Sequence, residues 1–203
     1  MQDGKRPVAP TGAETVGWRW REAPIRFATM PEFELQFPIE QVREYAARYA
    51  YEDDAEVIAV GQAARERGNY TRDEFIAVCR WKTPRSAPLV ASNSAESIEG
   101  ATRIALNESS TERERLDALR SLRGVDWPTA SVLLHLAYPE RYPILDQRAL
   151  QALGVRPPAA YSFRFWDGYR QASVSLAHEA GVDGRTFDQG LWQWSKEQGG
   201  ALH

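Results

Sequence analysis

The chain has 203 residues, 43% of them hydrophobic and 11% aromatic, which is enough for one sizeable buried core. A single cysteine, Cys79, excludes an internal disulfide framework and a four-cysteine zinc or iron–sulfur site, and histidine occurs only at His135, His178 and His203, so a histidine-rich metal centre is equally unsupported. The net charge of -3 argues against a uniformly basic polyanion binder, but the average conceals a division: residues 32–66 hold nine acids and three bases, whereas residues 67–170 hold fifteen bases and twelve acids.

Residues 1–15, rich in Gly, Pro and charge, read as a loose tail. No apolar run approaches the roughly 20 residues that cross a bilayer, and no signal-peptide pattern opens the chain. The expectation is a cytoplasmic protein with no membrane partner, no metal and no cofactor. Residues 18–37 ("WRWREAPIRFATMPEFELQF") mix aromatics with prolines and predict extended or irregular backbone. Trp18 and Trp20 alternate there as if along an extended segment.

From Pro38 onward helical patterns dominate. "PIEQVREYAARYA" opens on a first-turn proline and places Ile39, Val42, Tyr45, Ala46 and Tyr49 on one face. "DDAEVIAVGQAARERG" starts with acids and stops at Gly68. "TRDEFIAVCRW" begins at Thr71 with Glu74 three residues on, a capping box, and predicts a helix that Pro84 and Pro88 stop. "SAESIEGATRIAL" and "STERERLDALRSL" are further helices with Ser or Thr caps. "FDQGLWQWSK" spaces Phe187, Leu191, Trp192 and Trp194 as a core-facing helix. No segment shows sustained strand alternation, so the fold class is all-α, with ten or so short helices.

The most patterned stretch is "LRGVDWPTASVLLHLAYPERYPILDQRALQALG", residues 122–154. It predicts two helices joined by a tight turn. The first buries Leu116, Leu119 and Leu122. Gly124 supplies a backbone conformation that side chains resist, Val125 points inward, and the second helix starts near Pro128 and buries Ala130, Leu133, Leu134 and Ala137. A helix N-terminus behind a glycine turn presents backbone N–H groups that can hold a phosphate. Asp146 then opens another helix, "QRALQALG". By itself it is an ordinary cap, worth about 1 kcal/mol. His135, within an apolar helix, reads as a buried histidine, and Tyr138 and Tyr142 as packing residues. Cys79 has no evident catalytic partner.

"LRGVDWPTASVLLHLAY" resembles the hairpin of the helix-hairpin-helix DNA glycosylase superfamily, the group containing endonuclease III and adenine glycosylase. The family pattern is Leu-x-Gly-Val-Gly-x-x-Thr-Ala, an apolar helix, and a short apolar run ending in a catalytic Asp. Leu122, Gly124, Val125, Thr129, Ala130 and Asp146 fall at that spacing. The resemblance implies a two-lobed helical fold with an interlobe cleft. One lobe spans residues 93–159 and carries the hairpin; the other combines 16–92 with 160–198. It also implies a monomer that acts on double-stranded DNA and hydrolyses the N-glycosidic bond of a flipped-out base, with Asp146 as the essential carboxylate.

That base is either a damaged base of the genome, as in base-excision repair, or a modified base of foreign DNA such as phage DNA. Arg123, Gly124, Val125, Trp127 and Thr129 of the hairpin, Arg148 beyond Asp146, and Trp81, Lys82 and Arg85 upstream are the residues expected at DNA. Two positions depart from the pattern. Asp126 stands where the second hairpin glycine is expected, and a carboxylate beside a phosphate is repulsive unless it turns away. Pro128 stands where bifunctional members carry lysine, and proline has no amine to form a Schiff base, which implies base removal without strand cleavage. The alternative is a non-catalytic DNA-binding or interaction protein that keeps the fold.

Overall fold

The computed structural model describes residues 31–50 and 54–199. The expectations for residues 1–15 and for Trp18 and Trp20 lie outside the described residues. Within them the protein is all-helical. Residues 31–37 are irregular, and Glu34 N–H and Gln36 N–H donate to the carbonyls of Leu153 (3.1 Å) and Ala152 (2.9 Å).

The helices are α1 (Val42–Ala47), α2 (Asp54–Arg67), α3 (Arg72–Lys82), α4 (Ala87–Ala91), α5 (Ala95–Leu106), α6 (Glu112–Arg120), α7 (Trp127–Ala137), α8 (Gln147–Ala152), α9 (Phe163–Glu179) and α10 (Gly184–Glu197). Most begin where a side chain can satisfy the free N–H groups of the first turn. Thr71 and Thr111 form complete capping boxes with Glu74 and Glu114, and Ser94, Asp146, Ser162 and Asp183 accept from the residue three positions on.

The structure departs from the sequence expectation at four places. The first helix is shorter, a 3-10 turn at Ile39–Gln41 followed by α1, which ends at Ala47 and leaves Tyr49 outside it. Pro84 opens a 3-10 turn and Pro88 lies in the first turn of α4, where its missing N–H costs nothing, so the prolines start local helices as well as ending α3. The hairpin's second helix begins one residue early, at Trp127, with Asp126 as its cap. Finally, α9 has no counterpart in the sequence reading. It buries Phe165, Tyr169, Ser173 and Ala177 at a four-residue spacing, and the serine interrupts what would otherwise be an apolar stripe.

Helix α7 is the centre. Every residue from Thr129 to Ala137 is buried, so it has no polar face and must be wrapped on all sides. α2 and α3 pack on it, along with α6. Gly61 of α2 makes the closest approach, because a Cβ there would overlap the Leu136 carbonyl. Helix α10 packs against α1 and α8, and α5 against α6. The α6–α7 turn passes through Gly124 at φ 81°, with Val125 8% exposed and Leu116, Leu119 and Leu122 buried. Burial of each such leucine stabilises by roughly 1.5–3 kcal/mol.

Candidate functional site

Asp146 is placed by a buried strap. Between α7 and α8 the chain runs without regular structure through Tyr142, Pro143, Ile144 and Leu145, all buried. Three hydrogen bonds from other helices clamp it. His135 Nδ1–H donates to the Tyr142 carbonyl (2.7 Å), Ser131 Oγ accepts from Leu145 N–H (2.9 Å), and Tyr169 O–H donates to the Ile144 carbonyl (2.6 Å). Because a carbonyl can only accept, His135 carries its proton on Nδ1. Burial pushes the His135 ring down to about 3, so it stays neutral and its Nε2 is left as a bare acceptor.

At the exit of the strap Asp146 caps α8, its Oδ1 accepting from Ala149 N–H (2.8 Å). Its Oδ2 accepts from Lys82 Nζ (3.2 Å), a residue 64 positions away at the end of α3. The two side chains are 21% and 15% exposed, so both remain in reach of solvent. They share a cavity of about 320 Å³. Its aromatic walls are Trp81 of α3, Tyr49 beyond α1 and Trp192 of α10. Ile144 supplies apolar floor, and Arg185 and Asp188 of α10 complete the lining.

Arg185 organises the α10 side. Its guanidinium donates to Asp188 Oδ2 (2.6 Å), to Asp54 Oδ2 of α2 and to the Tyr49 hydroxyl (3.4 Å). Burial pushes the Asp188 carboxyl up to about 7; Arg185 opposes that rise and the negative charges of Asp146 and Asp54 add to it. Desolvation wins here because Asp188 is only 7% exposed and Arg185 already divides its charge between two carboxylates. Tyr49 and Trp192 meet edge to face at 5.3 Å.

Of the residues expected at DNA, the structure gathers Trp81 and Lys82 with Asp146. Arg148 lies half-buried with its guanidinium 4.9 Å from the centre of the Trp192 ring. Arg85 is exposed on the turn after α3. The hairpin residues do not line this cavity. Arg123 is exposed, but its N–H is taken by Asn93 Oδ1 (2.9 Å) and its carbonyl by Asn93 Nδ2 (2.9 Å). The side chains of Val125, Trp127 and Thr129 are buried. Gly124 packs against α4, where a Cβ would stand 2.9 Å from Val90 Cγ2.

Asp126 turns back onto its own helix. Its Oδ1 accepts from Trp127 N–H (2.8 Å) and from Arg120 Nε (3.3 Å), while the Arg120 guanidinium covers the Trp127 ring at 4.2 Å. One of the backbone donors at the start of α7 is therefore already engaged, and Pro128 contributes none.

Sequence reasoning missed Tyr49, Arg185, Asp188 and Trp192 as cavity residues. The available signal was the Arg-x-x-Asp-x-x-x-Trp spacing in α10, which puts a charge pair and an aromatic on one face of a helix. Cys79 is buried, with its thiol pushed up to about 12 by burial, and is inert. Among the described residues no group of three or more His, Cys, Asp or Glu side chains is arranged to hold a metal ion. No described helix is long and apolar enough to cross a membrane.

Chemically, the cavity offers a planar ring aromatic walls and a polar edge, and sets a fixed carboxylate at its mouth. Comparison with protein-family models, with curated proteins and with solved structures finds no match.

Proposed function

We propose that the protein is a monofunctional DNA glycosylase of the helix-hairpin-helix type, in which Asp146 hydrolyses the N-glycosidic bond of a base flipped out of double-stranded DNA. The observation that carries the reading is the placement of Asp146: a carboxylate oriented by a backbone N–H and an ammonium, beside an aromatic-walled cavity. Breaking a glycosidic bond builds positive charge on the sugar, and a fixed carboxylate near that carbon stabilises it. The base must first leave the stack, which requires a pocket with aromatic surfaces and a hydrogen-bonding edge. Trp81, Tyr49 and Trp192 supply the surfaces.

In this reading the cavity is the interlobe cleft. Its walls draw on the segment 93–159 through Ile144 and Asp146, and on the flanking segments through Trp81, Lys82, Arg185, Asp188 and Trp192. The base enters from duplex held by exposed Arg123 and Arg85, with α6, the Gly124 turn and α7 as the hairpin. Pro128 provides no amine, so the abasic strand is left uncut at that position. Base removal serves either repair of damaged DNA or restriction of foreign DNA carrying modified bases.

The test is a base-release screen over duplexes bearing deaminated, oxidised, alkylated and phage-type modified bases, scored as alkali-labile abasic sites. Wild type releases at least one base, and Asp146→Asn lowers the rate by about 10²-fold or more with the fold retained, because Asn also caps helices. An active Asp146→Asn protein overturns the assignment. The second reading is a non-catalytic DNA-binding or interaction protein. It is favoured by Asp126, whose carboxylate occupies the start of α7 where a phosphate would bind. Duplex binding without release of any base in the screen decides for it.

A further inference from the structure

The cavity holds two carboxyl groups in different surroundings. Asp146 meets a lysine ammonium and a backbone N–H at the mouth. Asp188 lies inside, 7% exposed, with one oxygen held by Arg185. Resting on the glycosylase reading, we propose that Asp188 is the general acid that protonates the departing base, and that the substrate is consequently an uncharged base whose release requires that proton.

The chemistry separates two classes of substrate. When an uncharged base leaves, the electron pair of the C1′–N bond goes with it, and the base departs as an anion unless it receives a proton. A base made cationic by N-alkylation leaves neutral and needs none. Enzymes that divide such labour between two carboxyls keep one protonated by burial and the other ionised. Asp188 is the member of this pair held protonated up to about pH 7 by its burial.

The walls also select against a cationic ring. Lys82 and Arg185 both line the cavity. The Trp192 ring already carries the Arg148 guanidinium at 4.9 Å and the Lys196 ammonium at 5.2 Å, the contacts a cationic base would otherwise seek.

The Asp188 carboxyl gives its proton to a ring nitrogen or carbonyl oxygen of the base as the C1′–N bond breaks. Asp146 stabilises the cationic sugar, and a water adds to C1′ and gives up a proton to Asp146. That proton returns through solvent to Asp188, so the net change is one water consumed per base released. The charged and titratable groups facing Asp188 are Arg185 on its own helix, Asp54 of α2, Lys82 of α3, Asp146 at the cap of α8, Tyr169 of α9 and Tyr49 beyond α1.

The experiment compares wild type with Asp188→Asn on duplexes carrying uracil, hypoxanthine, 8-oxoguanine or a glucosylated hydroxymethylcytosine as uncharged probes and 7-methylguanine as the cationic probe. The proposal expects release of an uncharged base, at a rate that falls about tenfold per pH unit above pH 7, and a loss of about 10²-fold or more, with a flat alkaline limb, in Asp188→Asn. The wild-type pH profile reads the same proton without any variant, so a poorly folded Asp188→Asn does not block the decision. An uncharged base released with no alkaline fall, an equally active Asp188→Asn protein, or 7-methylguanine as the preferred substrate each overturns the role of Asp188. Release of no base from any probe or modified duplex overturns the glycosylase reading itself, and this proposal with it.

Discussion

Lys82 Nζ donates to Asp146 Oδ2 across 3.2 Å and so ties the last residue of α3 to the cap of α8. Both groups keep some solvent access, so the net gain in stability from the pair is under about 1 kcal/mol. Its consequence is orientation. Lys82→Met keeps the apolar stem and removes the charge. The expected result is a melting temperature within roughly 4 °C of wild type and a base-release rate lowered about tenfold or more, measured under single-turnover conditions. An unchanged rate would show that Asp146 does not depend on Lys82.

Asp126 engages Trp127 N–H and Arg120 at the α6–α7 turn. Asp126→Gly removes a negative charge from the turn and frees that N–H, at a cost of a few tenths of a kcal/mol because glycine is a tolerable cap. Duplex affinity is expected to rise several-fold, with a steeper dependence on salt as Arg120 is released to contact phosphate. Fluorescence anisotropy titrations at two salt concentrations check it, and weaker binding by the variant would exclude the turn from the DNA interface.

Two buried groups give stability opposite slopes with pH. The Asp188 carboxyl is raised from 3.8 to about 7, so between those values the folded protein keeps a proton that the unfolded chain has lost, and stability falls as pH rises. The His135 ring is lowered from 6.5 to about 3, so in that window the unfolded chain binds the extra proton, and stability rises with pH. Between pH 4 and 6.5 the two offset. Asp188→Asn removes the first, and its urea midpoint is expected to climb with pH across this window more steeply than that of wild type. Parallel curves for the two proteins would contradict the shift assigned to Asp188.

Gly124 and Gly68 both sit at positive φ, 81° and 85°, but in different surroundings. A Cβ at Gly124 meets Val90 Cγ2 at 2.9 Å and the Val90 backbone nitrogen at 3.0 Å, whereas a Cβ at Gly68 meets nothing within 4 Å. Gly68→Ala is expected to cost only the left-handed strain of about 1–2 kcal/mol. Gly124→Ala adds displacement of α4, for a total of roughly 2–4 kcal/mol. Thermal melts of the two variants measure the difference. Equal losses would mean that α4 yields freely.

Local features were legible because they depend on neighbours in sequence. The Thr71–Glu74 capping box, the Thr111, Ser94 and Asp146 caps and the stop at Gly68 each involve residues within a few positions. Helix α9 was obscured because Ser173 stands in its buried stripe, and α4 because Pro88 reads as a stop when it can equally occupy a first turn. In the candidate site, Asp146, Trp81 and Lys82 stood out by motif and position. Asp188 and Arg185 did not, since an acid and a base three residues apart on a helix ordinarily make a solvated surface pair.

The sequence by itself determined that the chain is helical, where most helices begin and end, that an apolar helix follows the Gly124 turn, and that a carboxylate follows it at a fixed distance. Only the tertiary structure decided what surrounds that carboxylate. The strap carrying Asp146 is held by His135, Ser131 and Tyr169, and the cavity beside it is closed by side chains from α3, α10, the strap itself and the segment after α1. The burial that lifts Asp188 to about 7 likewise exists only once α10 has packed against α1 and α8. The physical reason is range: caps and periodicity act over one or two helical turns, whereas desolvation and charge pairing depend on groups that only folding brings together.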